Sequence, residues 1–193
     1  MTDSGTWKAT AESKAQAKKT RLYAVLLWAL GIAIEIGGIF GLLLNKSILT
    51  EKASVDSKGV LLSKDSFPTW AFVLLIVLLI LDAVAVVIGS MLWNKANKLD
   101  PASEKDTVRF FVQNQLGAFI PIIAFLPIII LIFLNKDMGK TQKGIAGAVG
   151  IVVALIAVAA GSDFNTASVE KYTADKQAVI QLLGQDKVYW AGG

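Results

Sequence analysis

Residues 21–46 read RLYAVLLWALGIAIEIGGIFGLLLNK, an apolar stretch with a single carboxylate, Glu35, near its middle. A hydrocarbon core about 30 Å thick takes roughly 20 apolar helical residues to cross. Residues 22–45 meet that length with one charge inside it. This constrains the chain more than any other feature, because a helix that is apolar all round must be buried or face lipid.

Three more stretches of the same kind follow. Residues 69–93 form a second span and again hold one carboxylate, Asp82. Pro68 suits its first turn, and Thr69-Trp70 suits the interface. Residues 109–134 form a third span, with Gln113, Asn114 and Gln115 in its first turns and Pro121 and Pro127 further in, where a kink is expected. Residues 144–161 form a fourth, close to the lower length limit for crossing. The sequence therefore predicts an all-α integral membrane protein with a four-transmembrane-helix bundle over residues 21–161. A polar, basic arm precedes it (residues 1–20) and a cytoplasmic tail follows (residues 162–193).

Composition agrees, with 54% hydrophobic residues and a mean hydropathy of +0.59, both above the range of ordinary soluble domains. Cysteine and histidine are both absent. That excludes a disulfide framework, thiolate catalysis, a cysteine-held zinc, and the commonest general base and metal ligand. The first apolar run is of full bilayer length and ends in Asn45-Lys46, so it reads as a retained anchor and not a cleaved signal. Lys and Arg number twelve in the N-terminal arm, the second connection and the tail, against seven in the other two connections. This bias predicts N-in and C-in in a plasma or inner membrane.

The connections are polar. Residues 46–67 read as a solvated loop with a short hairpin about Ser57-Lys58-Gly59, and Asp100-Pro101 marks a break between the second and third spans. In the tail, Val169, Tyr172, Val179, Ile180 and Leu183 fall at helical spacing, with Gly184 as a stop. Lys187 to Trp190 then read as a strand that needs a partner.

The candidate site rests on the two intramembrane acids. In an antiparallel hairpin of the first two spans, Glu35 lies about 21 Å along its helix from Arg21, and Asp82 about 21 Å from Pro68, so both carboxyls come near the midplane. Neither has Lys or Arg at its level. Isolated charges there are costly, so the acids should face inward, find partners or take up a proton or cation. Trp28, Gly31, Gly38 and Leu42 share the Glu35 face, while Leu78, Leu79, Ala85, Val86 and Gly89 share that of Asp82. Pro121 has no N–H to give the Gly117 carbonyl, which is thereby freed to coordinate an ion or to be satisfied by packing. Gln113, Asn114 and Gln115 read as interfacial hydrogen-bonding groups.

Small residues mark the packing faces. Gly37 and Gly41 form a GxxxG pair, and Gly147, Gly150, Ala154, Ala157 and Gly161 line one face of the fourth span, suited to contact within the chain or between copies. No nucleophile with a base, phosphate-cradling loop, HExxH or carbonyl filter is present, so no enzyme, cofactor, metal site or nucleic-acid partner is expected. Two function classes remain. One is a small oligomeric subunit whose Glu35 and Asp82 bind or relay protons or monovalent cations. The other is a structural, assembly or anchoring subunit of a larger membrane complex, in which protonated acids hydrogen-bond across helices.

Overall fold

The computed structural model describes residues 6–55, 59, 61–162 and 166–183. Within these the chain is helical apart from one β-hairpin. Helix α1 spans Ala11–Gly38 and continues as a π turn, Ile39–Leu43; strands β1 (Thr50–Val55) and β2 (Leu61–Ser66) follow. Then come α2 (Thr69–Leu99), α3 (Thr107–Leu134), α4 (Lys140–Gly161) and α5 (Val169–Leu183). The first four helices are each long and apolar enough to cross a membrane, which points to a membrane protein.

Local chemistry sets the helix ends. Thr10 caps α1 by accepting from the Ser13 N–H at 3.1 Å. The basic arm is thus the start of the first spanning helix. Pro101 forces Asp100 out of helical conformation (φ −143°, ψ 74°) and ends α2. Asp106 caps α3, accepting from the Arg109 N–H at 3.2 Å. Both Pro121 and Pro127 lie inside α3, which stays helical through them.

The fourth helix begins four residues before the apolar run does, because Gln142 reaches back to the Gly139 N–H at 2.9 Å and Lys143 extends its amine to the Phe133 carbonyl at 3.0 Å. Polar side chains can carry a helix to the membrane edge by snorkelling. The resulting 22 residues relieve the short length expected from hydropathy.

The hairpin is longer than the turn the sequence suggested, with an antiparallel register from Thr50 opposite Ser66 to Val55 opposite Leu61. Gly59 has φ +79°, a conformation that favours glycine. The residues around it, 56–58 and 60, lie outside the described residues, as do the Gly184 stop and the strand expected over residues 187–190.

Helix α2 is central and packs against α1, α3 and α4. Two apolar clusters fill the bundle. Leu43, Phe67, Leu75, Leu79, Ile128 and Ile132 lie toward the hairpin end. Trp28, Val86, Trp93, Ala124, Phe125 and Ala157 lie toward the end that holds the termini. The outward faces stay apolar, with Leu26, Phe40, Val73, Ile80, Ile123 and Leu155 all exposed. On a soluble monomer that much exposed apolar surface would be anomalous; on a bundle in lipid it is the solvated face.

Both ends are stitched by polar contacts. At the hairpin end Asn135 donates to the Leu43 carbonyl (3.1 Å), the Phe67 N–H donates to the Asp137 carbonyl (2.8 Å), and Lys46 pairs with Asp137. At the other end Asp100 accepts from Arg21 (3.3 Å) and Arg109 (2.8 Å), joining three helices at one carboxylate. Helix α5 docks beside it. The Val169 N–H donates to the Ala102 carbonyl (3.2 Å), Glu170 accepts from Ser103, and Tyr172 meets the Trp7 ring edge-on at 5.0 Å.

Candidate functional site

The antiparallel pairing of α1 and α2 brings the two acids together inside the bundle. Glu35 is 6% exposed and Asp82 1% exposed. Gly31, one turn before Glu35, makes room for the second acid. A Cβ there would stand 2.6 Å from Asp82 Oδ1 and 2.9 Å from Val86 Cγ2, so Asp82 rests on the bare backbone of α1. Glu35 lies within electrostatic reach of Asp82 and beside the backbone amide of Ile128 on α3. Gly38, a turn further on, seats Ile128 and Leu78 at ordinary contact distance.

Among the described residues no cation balances the pair. The ion pairs among the described residues, Arg21 and Arg109 with Asp100 and Lys46 with Asp137, all sit at helix ends. Glu35 Oε1 and both carboxylate oxygens of Asp82 are buried without a hydrogen-bond partner. Nor do the described residues hold any group of three or more acids, His or Cys of the kind that binds a divalent metal.

Gly117 and Pro121 stand in a different layer. Ser90, eight residues and about 12 Å along α2 from Asp82, donates its hydroxyl to the Gly117 carbonyl at 3.0 Å. That carbonyl lacks its usual helical partner because position 121 is proline. Trp28 Nε1 points at Ser90 Oγ from α1 at 3.4 Å. The Trp28 ring lies over Gly89, where a Cβ would come within 2.7 Å of it, and 5.2 Å from the ring of Trp93. The freed carbonyl therefore joins α2 to α3 and does not reach the acids.

Beyond Ser90 lies a third layer, made of amides. Trp93 Nε1 donates to the Gln113 carbonyl at 2.8 Å, and Asn97 donates to the same oxygen. Asn94 donates to the carbonyls of Ala160 (3.2 Å) and Gly161 (3.1 Å). Gln113 and Asn114 are each 6% exposed, whereas Gln115 faces outward. Sequence reasoning placed all three at the interface. Five amide atoms of this layer are buried without a partner: Asn94 Oδ1, Asn97 Oδ1, Gln113 Oε1, and Oδ1 and Nδ2 of Asn114.

Ser90, Trp93, Asn94 and Asn97 escaped the sequence reading. Continuing the Asp82 face at spacings of three and four through Val86, Gly89 and Trp93 leads to Asn97, and that phase was the available signal.

The small residues of α4 pack within the chain. Gly147 takes the Phe133 ring, Gly150 takes the side chain of Ile129, and Gly161 lies directly against the Gly117 backbone. Ala157 is fully buried and Ala154 half-buried. Gly37 and Gly41 have no neighbour close enough to meet an added Cβ.

These features define a four-helix bundle of membrane-spanning length with two buried acids inside it, neither ion-paired with a described cation. No protein-family model, curated protein or solved structure matches this chain.

Proposed function

We propose that this protein is a small membrane subunit that binds or relays protons or monovalent cations at Glu35 and Asp82. The observation that carries this reading is the burial of two carboxyls within electrostatic reach of each other in spanning helices, with no cationic partner among the described residues. Two negative charges at that depth are costly together. One proton or one monovalent cation held between them removes much of that cost, and an exchangeable occupant is what transport or coupling needs.

The excess of Lys and Arg in the N-terminal arm, second connection and tail favours N-in and C-in in a plasma or inner membrane. Gly37 and Gly41, free on the outer face of α1, suit close approach of a second copy or another membrane subunit.

The test is proton and cation flux in liposomes containing wild type, Glu35→Gln or Asp82→Asn, with particle size in detergent measured on the same samples. Loss of flux in either variant at unchanged size supports the reading. Wild-type flux in both variants, or no flux from a well-assembled wild type, refutes it and leaves an anchoring or assembly subunit.

A further inference from the structure

The amide layer at the end of the bundle that holds the termini lies apart from the acids. Asn97 is about 22 Å along α2 from Asp82, and Trp28, Val86, Ala124 and Phe125 pack between the two levels. Asn94 and Asn97 stand one turn apart on α2, against the α3 turn that runs from Gln113 and Asn114 to Gly117. Asn97 reaches the Gln113 carbonyl, and a Cβ at Gly117 would come 3.2 Å from Asn94 Oδ1.

Hydrogen bonding fixes which way these amides face. The Asn94 NH2 is spent on the carbonyls of Ala160 (3.2 Å) and Gly161 (3.1 Å), at the end of α4, and the Asn97 NH2 on Gln113. Their oxygens are thereby left over. With Gln113 Oε1 and Asn114 Oδ1 they make four buried acceptors that no donor meets among the described residues, against one buried free donor group, the Asn114 NH2. Were that NH2 to give both hydrogens to its neighbours, its own oxygen and one other would still be unmet. Buried polar atoms in this number are costly unless a ligand meets their demand.

Such a ligand must donate or carry positive charge. The layer contains no Asp or Glu, and the described residues hold no cluster of acids, His or Cys, so a divalent charge would find only neutral oxygens there. Neutral carbonyl-type oxygens are the donor set that replaces the water shell of a monovalent alkali cation. The C-termini of α2 at Leu99 and α4 at Gly161 turn their negative ends to the same layer, while α3 begins six residues before Gln113, too far for its positive end to oppose them. Arg21 and Arg109 both turn to Asp100, one turn beyond Asn97.

We propose that Asn94, Asn97, Gln113 and Asn114 form a binding site for one monovalent alkali cation, Na+ or K+, which ties α2 to α3. The site is independent of the acid pair and of any transport there.

The test is thermal unfolding of the full chain in non-ionic detergent, with NaCl or KCl replacing choline chloride at constant ionic strength. Asn114→Leu and Gln113→Leu each remove one oxygen at similar side-chain size, and neither breaks a side-chain hydrogen bond between described residues. The wild-type midpoint should rise with the alkali cation, by roughly 5–10 °C at a concentration a hundredfold above half-saturation. Both leucine variants should lose that rise while keeping at least the wild-type midpoint in choline chloride, because an unpaired buried atom is gone. Glu35→Gln and Asp82→Asn should keep it. A wild-type midpoint indifferent to the cation means that water alone fills the layer, and overturns the proposal. A rise that persists in both leucine variants overturns it too, and if that rise is lost in Glu35→Gln or Asp82→Asn the cation sits at the acid pair instead.

Discussion

Replacing Ser90 by alanine should destabilise the bundle, and the size of the loss should depend on Pro121. Ser90 Oγ lies 3.0 Å from the Gly117 carbonyl, a fully buried bond, while the contact from Trp28 Nε1 is longer at 3.4 Å. The second is too long to contribute much. Interhelical hydrogen bonds in a membrane protein have averaged about 0.6 kcal/mol in double-mutant cycles, with a maximum near 1.7. Leaving a buried acceptor wholly unpaired costs about 1–3 kcal/mol. The Gly117 carbonyl belongs to the second case, because proline at 121 cannot supply the usual helical N–H. We expect Ser90→Ala to cost about 2 kcal/mol. In a Pro121→Ala background the new N–H can serve that carbonyl, and Ser90→Ala should then cost about 0.5–1 kcal/mol. Reversible unfolding in mixed detergent micelles, followed by the fluorescence of Trp28 and Trp93 beside the bond, measures all four corners of the cycle. Equal costs in the two backgrounds, within the roughly 0.3–0.5 kcal/mol expected of independent sites, would refute the claim that Ser90 compensates for Pro121.

Glycine positions give a second contrast by the same assay. An added Cβ at Gly161 would fall on the Gly117 backbone, so Gly161→Ala should cost about 3 kcal/mol or more, whereas Gly37→Ala, with nothing near it, should be neutral or gain up to about 1 kcal/mol in helix propensity. The docking of α5 should depend on pH. Burial pushes the Glu170 carboxyl up, but the Ser103 hydroxyl and the Glu104 N–H outweigh it and hold it below the ordinary value of 4.5. A depressed folded value means that the contribution is fully present above pH 4.5 and is lost as pH falls through the folded value. Hydrogen-exchange protection factors in α5, corrected for the intrinsic slowing of exchange in acid, should fall on acidification below that point, and Glu170→Gln should weaken docking at neutral pH and flatten the profile.

The sequence made the four spans and the two acids visible because length, hydropathy and a lone charge are local properties. Other features depended on what lies across the bundle. Gln113 and Asn114 are polar residues in the first turns of a span, a position that reads as interfacial. The structure buries them because Trp93 and Asn97 of α2 hydrogen-bond to the Gln113 carbonyl from the other side. Residues 140–143 carry two lysines and read as loop, yet Lys143 can send its amine to the Phe133 carbonyl while its backbone stays helical. The Gly117 carbonyl could be identified as free from Pro121 alone. That Ser90 claims it depends on the register of α2 against α3, which no local pattern encodes.

Gly31 offers the sharpest separation between packing and chemistry at the acid pair. Gly31→Ala would place a methyl 2.6 Å from Asp82 Oδ1 and 2.9 Å from Val86 Cγ2, both tighter than side chains tolerate. Something must move. The helices can part slightly, which overpacking experiments value at about 1–3 kcal/mol, or the Asp82 carboxyl can swing away from Glu35. Val86→Ala in the same chain removes one of the two clashes and should recover part of the stability. It leaves the other clash in place, so the carboxyl stays displaced. If the mutual placement of Glu35 and Asp82 governs flux, Gly31→Ala should lose flux and Gly31→Ala/Val86→Ala should regain stability without regaining flux. Flux that returns together with stability would show that α1 and α2 need only pack and that the position of Asp82 against Gly31 is incidental to transport.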